Sequence, residues 1–474
     1  DLVTYVRCPY TYSLLYRGEL TPDDAVSDLV VLLMREGADF HTAVEASMPT
    51  AEVSDERQLL SVLQMGISVF QPPLLDNKAL RIYGRPDGIE PSAGQLVPIE
   101  IKSHQEVKLL DELELAFYWL LLEPYRTSRL DPPRGVLLLR QEGEPVRVEV
   151  ELTPRRFGQV ERYVEAVRRA RKWPVTPRVC GCHVCRGARR QEVLASAAAE
   201  KDCSMLFGVG WAYGDVLKEI GINSYDELVT SDATSVALAF KVRGYLAVGR
   251  STVRRWQIHA QSYRSGAAIY FGDEFPIGKE YCALDLEYLN GPWGAQVFLA
   301  GVAIVQSETQ CRLLWAAQGA DEERQLLVKL SDLLHDHADL PVVTWAGLSA
   351  DLPEMRKAEA RHNIPPVLDG LDHCDLYQYA QRSLRLPTPW LGIKELVSYL
   401  GMGYDSDVQG GFHAQNLYLE WVDCHEPTRR DEIRKRLEDY NRADLIALIG
   451  VAEQLRKIAE LGQRADAHAG GVWE

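Results

Sequence analysis

Hydrophobic positions change period several times along this chain, and the changes outline its elements. From residue 275 onward, EYCALDLEYL, QVFLAGVAIVQ and CRLLWAAQ alternate or stay apolar over strand-length runs. Such runs predict strands. The pattern then becomes helical in ERQLLVKLSDLLHDHA, returns to a short strand in PVVTWAG, and ends in a long helix, RRDEIRKRLEDYNRADLIALIGVAEQL. In the first 200 residues, RIYGRPDGIE and QLVPIEIKS predict paired strands flanked by helices. Between these regions, LFGVGWAYGDVLKEIGI, SYDELV, VALAF and STVRRWQIHAQSYR predict short helices broken by Gly. The stretch SGAAIYFGDEFPIGK predicts a junction, and the residues after Leu461 predict a frayed tail. The expectation is an α/β multidomain chain divided at 1–200, 201–268 and 275–465, with a tail at 466–474.

Composition narrows this picture. The chain has 474 residues, 46% of them hydrophobic, enough for two or three cores. No apolar stretch approaches the roughly 20 residues that span a bilayer. No secretory leader is read, so a cytoplasmic location and no membrane partner are expected. The formal net charge of −16 argues against a general polyanion binder. Between Arg155 and Arg190, however, eleven Lys or Arg stand against two Glu. Arg155, Arg156, Arg168, Arg169, Arg171 and Lys172 on that segment are candidate nucleic-acid contacts. The plain alternative is a solvated basic helix. Arg250, Arg254 and Arg255 add cations to the middle region.

The acids carry more information. Asp285 and Glu287 are two apart in a predicted strand, so they share a face. Tyr440 and Asp444 are four apart in a predicted helix, so they share a stripe. Clustered carboxylates repel unless a hard cation with oxygen preference offsets them. In the first region, Glu100 and Lys102 share a strand face, Asp87 lies on the neighbouring hairpin, and His41 lies on a helix. Asp87 and Glu100 could hold a metal, with Lys102 beside it and His41 completing the set. Taken singly, His41 reads as an ordinary helix histidine, Asp87 as a turn residue before Gly88, and Glu100 with Lys102 as a surface ion pair.

Nine Cys do not form a disulfide framework in such a chain. Cys180, Cys182 and Cys185 fall within six residues, with Cys8 remote. Thiolates so spaced bind a soft metal or a cluster, either [4Fe–4S] or Zn²⁺.

These motifs carry resemblances. Asp285-Leu-Glu287, Asp351 after PVVTWAGLSA, and Tyr440-Asn-Arg-Ala-Asp444 together resemble the DEDD 3′→5′ exonuclease superfamily on the RNase H-like fold, in its Tyr-bearing subclass. The approach to Asp351, Gly347-Leu-Ser-Ala, departs from that family's usual pattern. CDLYQYA and LGIKELVSYLG resemble its YprB-type branch. The resemblance implies that Asp285, Glu287, Asp351 and Asp444 ligate two Mg²⁺ or Mn²⁺, that Tyr440 orients a water, and that Asp375 supports the site. His41, Asp87, Glu100-Ile-Lys102 and Glu114-Leu-Ala-Phe-Tyr118 resemble the RecB-like branch of PD-(D/E)xK nucleases. It implies catalytic roles for Lys102, Glu114 and Tyr118, and one or two metals; Glu114 stands where that family has Gln. Cys8 with the late triplet resembles the iron–sulfur clamp of RecB-like and CRISPR-associated nucleases, although the triplet's spacing differs. The middle segment resembles a helix-hairpin-helix, or is a helical spacer.

The order of parts resembles a bacterial family of RecB-like nucleases often joined to a superfamily 1 helicase. It implies a DNA nuclease acting on single strands or 3′ ends in repair, recombination or defence. The alternatives are a catalytically reduced DNA-binding scaffold for a helicase, and an RNA-trimming exoribonuclease.

Overall fold

The computed structural model describes residues 2–21, 28–48, 51, 53–92, 95–126, 132–141, 145–272, 274–290, 296–317, 319–408 and 410–469, with the side chains of 28–36 and 463–469 left aside. The chain divides into two compact units. One comprises Asp1–Thr176 and Cys182–Ala188; the other comprises Pro177–Gly181 and Arg189–Glu474.

The first unit is built on a five-stranded sheet. Its strands are β1 (Val69–Phe70), β2 (Gly88–Ser92), β3 (Gln95–Lys102), β4 (Arg134–Leu139) and β5 (Val146–Glu151), in that spatial order. All neighbours are antiparallel except β3 and β4, which are parallel. A parallel pair needs a crossover, and helix α2 (Leu109–Leu121) supplies it, following the earlier helix α1 (Asp28–Ser47). Leu113, Leu115 and Ala116 of α2 pack on Leu137 and Leu139, with Val160 of helix α3 (Pro154–Lys172) in the same cluster. Val97, Ile99 and Ile101 are buried with Phe70, Val136 and Leu138.

The second unit contains a five-stranded mixed sheet with the order β8-β7-β6-β9-β10: β6 (Tyr281–Leu289), β7 (Gln296–Val305), β8 (Thr309–Trp315), β9 (Val342–Thr344) and β10 (His373–Asp375). The three long strands form an antiparallel meander, and β9 and β10 add in parallel to the β6 side. On one side, helix α5 (Ala320–His335) buries Leu326, Leu327, Leu330 and Leu334. Each buried leucine stabilises by roughly 1.5–3 kcal/mol. Helix α6 (Asp351–His362) joins the same cluster through Leu352, Met355 and Ala358. Helix α7 (Pro427–Ala469) lays Leu437, Leu445, Leu448, Val451 and Leu455 against the remaining apolar groups.

The middle segment belongs to this second unit. Its last helix, α4 (Arg250–Ser265), places His259 against the Leu386 carbonyl at 2.8 Å and Ser262 against that of Arg385 at 3.2 Å. Tyr213, Phe240 and Trp256 stack into one aromatic knot with centroids 5.6–5.8 Å apart. At the C-terminal end, α7 runs on to Ala469, past Leu461 where the sequence predicts fraying. At Gly462 it packs closely, since a Cβ there would come within 2.5 Å of the Tyr270 ring.

Candidate active site

In the second unit the acids converge. β6 carries Asp285 and Glu287 on one face, as period two requires. α7 crosses above them with Tyr440, Asn441 and Asp444 on its buried stripe. Gly301 of β7 lies directly across from Asp285. A Cβ there would stand 1.9 Å from Asn441 Oδ1. The glycine thus lets α7 approach, and Asn441 Nδ2 donates to Asp285 Oδ2 at 2.7 Å.

Carboxylate oxygens of Asp285, Glu287 and Asp444 lie within 4.8 Å of one another. Glu287 and Asp444 are buried and Asp285 is half-buried. Burial is the largest force raising the pKa of each. The Asp444 charge adds to it at Asp285 and Glu287. At ~4 Å, two such charges cost about 4 kcal/mol in partly shielded surroundings. The nearest compensating cation is Lys394, whose own pKa is lowered by burial. Its amine stands 4.6 Å from the Tyr404 ring centroid and 4.7 Å from that of Tyr440, and donates to the Val408 carbonyl. Tyr404 donates to Asp444 Oδ1 at 2.8 Å. Burial and the surrounding acids push the Tyr440 hydroxyl far above its usual range, so it stays a proton donor. An all-oxygen donor set with unmet negative charge fits hard divalent cations.

Asp351 stands at the edge of this group. It opens α6, buried, with its pKa pushed up to about 7 by burial, then by Asp375 and Asp444. It belongs electrostatically with the three but is not one of the tight trio. The turn before it is specified in detail. Asp375 accepts the N–H groups of Ala346, Leu348 and Tyr377, each at 3.0 Å. Ala346 takes a left-handed φ of 61°, and a Cβ on Gly347 would collide with Thr344 Oγ1. Asp375 therefore holds the turn that presents Asp351.

The first unit gathers the other predicted set. Asp87 Oδ2 accepts the Ile101 N–H at 2.8 Å and faces His41 Nε2 at 3.1 Å. Glu100 Oε1 accepts the Asp87 N–H at 3.3 Å. Lys102 Nζ donates to both Glu100 and Glu114 at 2.8 Å. Burial, then Asp87, pushes Glu100 up to about 8. Burial opposes charge on Lys102, yet Glu100 and Glu114 outweigh it and raise its pKa. The hydrogen bond to Asp87 lifts His41 to about 9. The imidazole is therefore a proton donor in this pair, and would have to lose that proton to act as the expected metal ligand. Tyr118 is held protonated by burial and by Glu100 and Glu114.

The cysteines also meet. Cys8 caps Pro9–Tyr16, its Sγ accepting from Thr11 N, and Cys182 caps His183–Arg186. Cys8 Sγ and Cys185 Sγ are 3.7 Å apart. Cys180 is tethered two residues before Cys182, and one sulfur from each of the four falls within 4.8 Å of the others. Four clustered sulfurs suit a soft metal.

The basic segment divides by the contacts its side chains make. On α3, Arg156 pairs with Glu112 and Gln159, and Arg168 reaches the carbonyls of Leu80 and Arg81. Arg171 donates to the Tyr12 hydroxyl at 2.9 Å. Arg155, Arg169, Arg171 and Lys172 are exposed. Asn441, Lys394 and Tyr404 are the site residues to which the residue patterns assign no role. Asn441 lies inside the Tyr440–Asp444 motif and Lys394 inside LGIKELVSYLG, so position in a motif was the available signal.

The second unit is thus a mixed α/β domain with a carboxylate centre at the crossing of its first sheet strand and last helix. Residues 282–456 match the RNase_H_2 family of the RNase_H superfamily, so the C-terminal region holds an RNase H-like domain. Among solved structures, one match is the family B DNA polymerase from the hyperthermophilic archaeon Pyrobaculum calidifontis. It is 16% identical over 39% of this chain and 25% of that chain, with a TM-score of 0.30. No curated protein matches the chain. Among the described residues, no helix is long and apolar enough to cross a membrane.

Proposed function

We propose that the protein is a metal-dependent nuclease whose C-terminal domain removes nucleotides from the 3′ ends of DNA. The observation that carries this is the trio Asp285, Glu287 and Asp444, packed within 4.8 Å of one another, three acids against the single amine of Lys394. In this reading the trio, with Asp351 at its edge, holds two Mg²⁺ or Mn²⁺. Bound there, the ions lower the pKa of a water and offset charge on the leaving oxygen. Asn441 keeps the Asp285 carboxylate aimed at the centre, and Tyr404 does the same for Asp444. The protonated Tyr440 hydroxyl offers a hydrogen bond to the incoming water or to a phosphate oxygen. Lys394, held against the Tyr404 and Tyr440 rings, is the amine beside these acids.

The first unit is read as a RecB-like PD-(D/E)xK domain, spanning residues 1 to about 200 with its Cys group. Asp87 and Glu100 would hold its metal and Lys102 would orient water. The Cys group is read as a [4Fe–4S] site, with Zn²⁺ as the alternative. The middle segment, residues 201–268, is read as a spacer resembling a helix-hairpin-helix, with exposed Arg250, Arg254 and Arg255 available to phosphates. Single-stranded DNA is the expected partner, RNA strands the alternative, and a superfamily 1 helicase a further one.

The hydrogen bond from Lys102 to Glu114 favours a second reading of this first unit alone, in which it binds nucleic acid and cuts slowly or not at all.

The test uses matched 5′- and 3′-labelled DNA and RNA strands with Mn²⁺. Asp285→Asn with Glu287→Gln should remove stepwise shortening from the 3′ end. Asp87→Asn with Lys102→Met reports the first unit separately. Unchanged degradation in both double variants defeats the nuclease reading.

A further inference from the structure

Glu114 has a second neighbourhood besides Lys102. It lines a cavity of about 550 Å³ in the first unit. That volume lies in the range of sites for small organic ligands. Helical spacing builds its walls. Glu114, Phe117 and Tyr118 come from one face of α2, and Arg168 and Arg171 come from α3, with Tyr83 on the short strand Ile82–Gly84 and Arg81 just before it.

The lining has two characters. Tyr83, Phe117 and Tyr118 offer aromatic surface, and Tyr83 is 57% exposed. A Cβ on Gly84 would come within 3.2 Å of both the Phe117 and Tyr118 rings, so the strand carries a glycine where those rings close in. Arg81, Arg168 and Arg171 offer three cations against the single acid Glu114. Two of the arginines are held in place: Arg168 by the carbonyls of Leu80 and Arg81 and an exposed ion pair with Glu165 at 3.4 Å, Arg171 by the Tyr12 hydroxyl. A positive, aromatic recess is distinctive in a chain of net charge −16. Flat rings stack on a base of any sequence, and guanidinium groups match phosphate oxygens. At Glu114 the recess meets the Glu100–Lys102 cluster.

We propose that this cavity seats one unstacked nucleotide of a single-stranded nucleic acid. The base lies among Tyr83, Phe117 and Tyr118, and the flanking phosphates are held by Arg81, Arg168 and Arg171. The inference rests on the nuclease reading of the first unit for its purpose, but the binding itself needs no hydrolysis. It also assigns distinct roles within the basic helix: Arg168 and Arg171 face the strand, while Arg169 and Lys172 lie outside the cavity.

The test is fluorescence anisotropy of the full chain with a labelled oligothymidylate of about fifteen residues, in EDTA, across a salt series. Arg168→Gln and Arg171→Gln should each weaken binding about tenfold and lower the salt slope by about one. Arg169→Gln and Lys172→Gln should change it less than about twofold. Equal losses from both pairs would replace the cavity with a diffuse basic face, and no loss from either would remove it altogether. Tyr83→Ala alters an exposed side chain and leaves the core intact. It should cost about tenfold; unchanged affinity overturns the base seat. A blunt duplex should be insensitive to Tyr83→Ala, and an equal loss there contradicts the requirement for an unpaired base. An oligouridylate losing affinity through the same residues supports the seat for either strand chemistry. Cleavage assays separate this from the nuclease reading. If the wild-type chain cuts nothing but the cavity variants lose binding, only the nuclease reading falls. If it cuts but the variants bind normally, only the seat falls.

Discussion

The two acidic clusters of this molecule solve the same electrostatic problem in opposite ways. In the first unit, Glu100 and Glu114 share the amine of Lys102, and Asp87 faces a proton-bearing His41. The charges are offset from within the chain. In the second unit, three acids crowd together and their nearest amine, Lys394, is itself discouraged by burial from carrying charge. Its repulsion is left to be relieved by protons, as the raised pKa values of all three acids indicate, or by a cation from outside. The difference teaches that clustered acids alone do not identify a metal site. The informative feature is negative charge that the fold leaves unpaired.

Opposite signs of stability change follow, and they give the largest expected effect. Lys102→Met leaves buried Glu100 without its partner and should destabilise by about 3 kcal/mol. Asp285→Asn removes repulsion while still accepting from Asn441, and should stabilise the metal-free protein by about 1 kcal/mol. Urea denaturation in EDTA measures both. Destabilisation at Asp285 comparable to that at Lys102 would break the contrast.

A similar magnitude belongs to pH, away from both clusters. His259 is buried; its Nδ1 accepts the Phe207 N–H at 2.9 Å, and its other nitrogen faces the Leu386 carbonyl. Both contacts suit the neutral ring. Burial lowers its pKa from 6.5 to about 4. As pH falls below 6.5 the unfolded chain takes up this proton first, so stability present at neutral pH is lost on the way down to about 4. The loss is at most about 3 kcal/mol. Urea midpoints at both ends of that window should differ less in His259→Gln than in the wild type.

Gly301→Ala should cost about 2 kcal/mol through overpacking against Asn441, and should also turn Asp285 away from its site. A loss of stability with unchanged cleavage would show that the Asn441 contact has no catalytic purpose. The smallest effect is expected from Glu114→Gln. The amide oxygen keeps a bond to Lys102, so denaturant midpoints should move by no more than about 1 kcal/mol.

Much of this arrangement was legible because strand and helix periods fix which side chains share a face. Asp285 with Glu287, Tyr440 with Asp444, and Glu100 with Lys102 are all of that kind. The division of the basic helix was not legible in this way, because the helical period places Lys172 as near to Arg168 as Arg171 is. What was not legible depends on approach between distant elements. Nothing in the local pattern around Gly301 reveals that α7 passes over it. Asp375 reads as a supporting acid, but two of its three backbone N–H partners, Ala346 and Leu348, come from a turn nearly thirty residues earlier. Asp351 sits at the edge of the trio because the first turn of α6, rather than residue spacing, sets its distance. The close packing of α7 at Gly462 likewise involves Tyr270, nearly 200 residues earlier.

The central claim is that Asp285, Glu287 and Asp444 form a binding site for a divalent cation. Electron paramagnetic resonance titration with Mn²⁺ measures this most directly, comparing the wild type, Asp285→Asn with Glu287→Gln, and Asp87→Asn. The account predicts tightly bound Mn²⁺ in the wild type and in Asp87→Asn, with at least one ion per chain lost in the Asp285–Glu287 double variant. The same tight binding in all three proteins would contradict it.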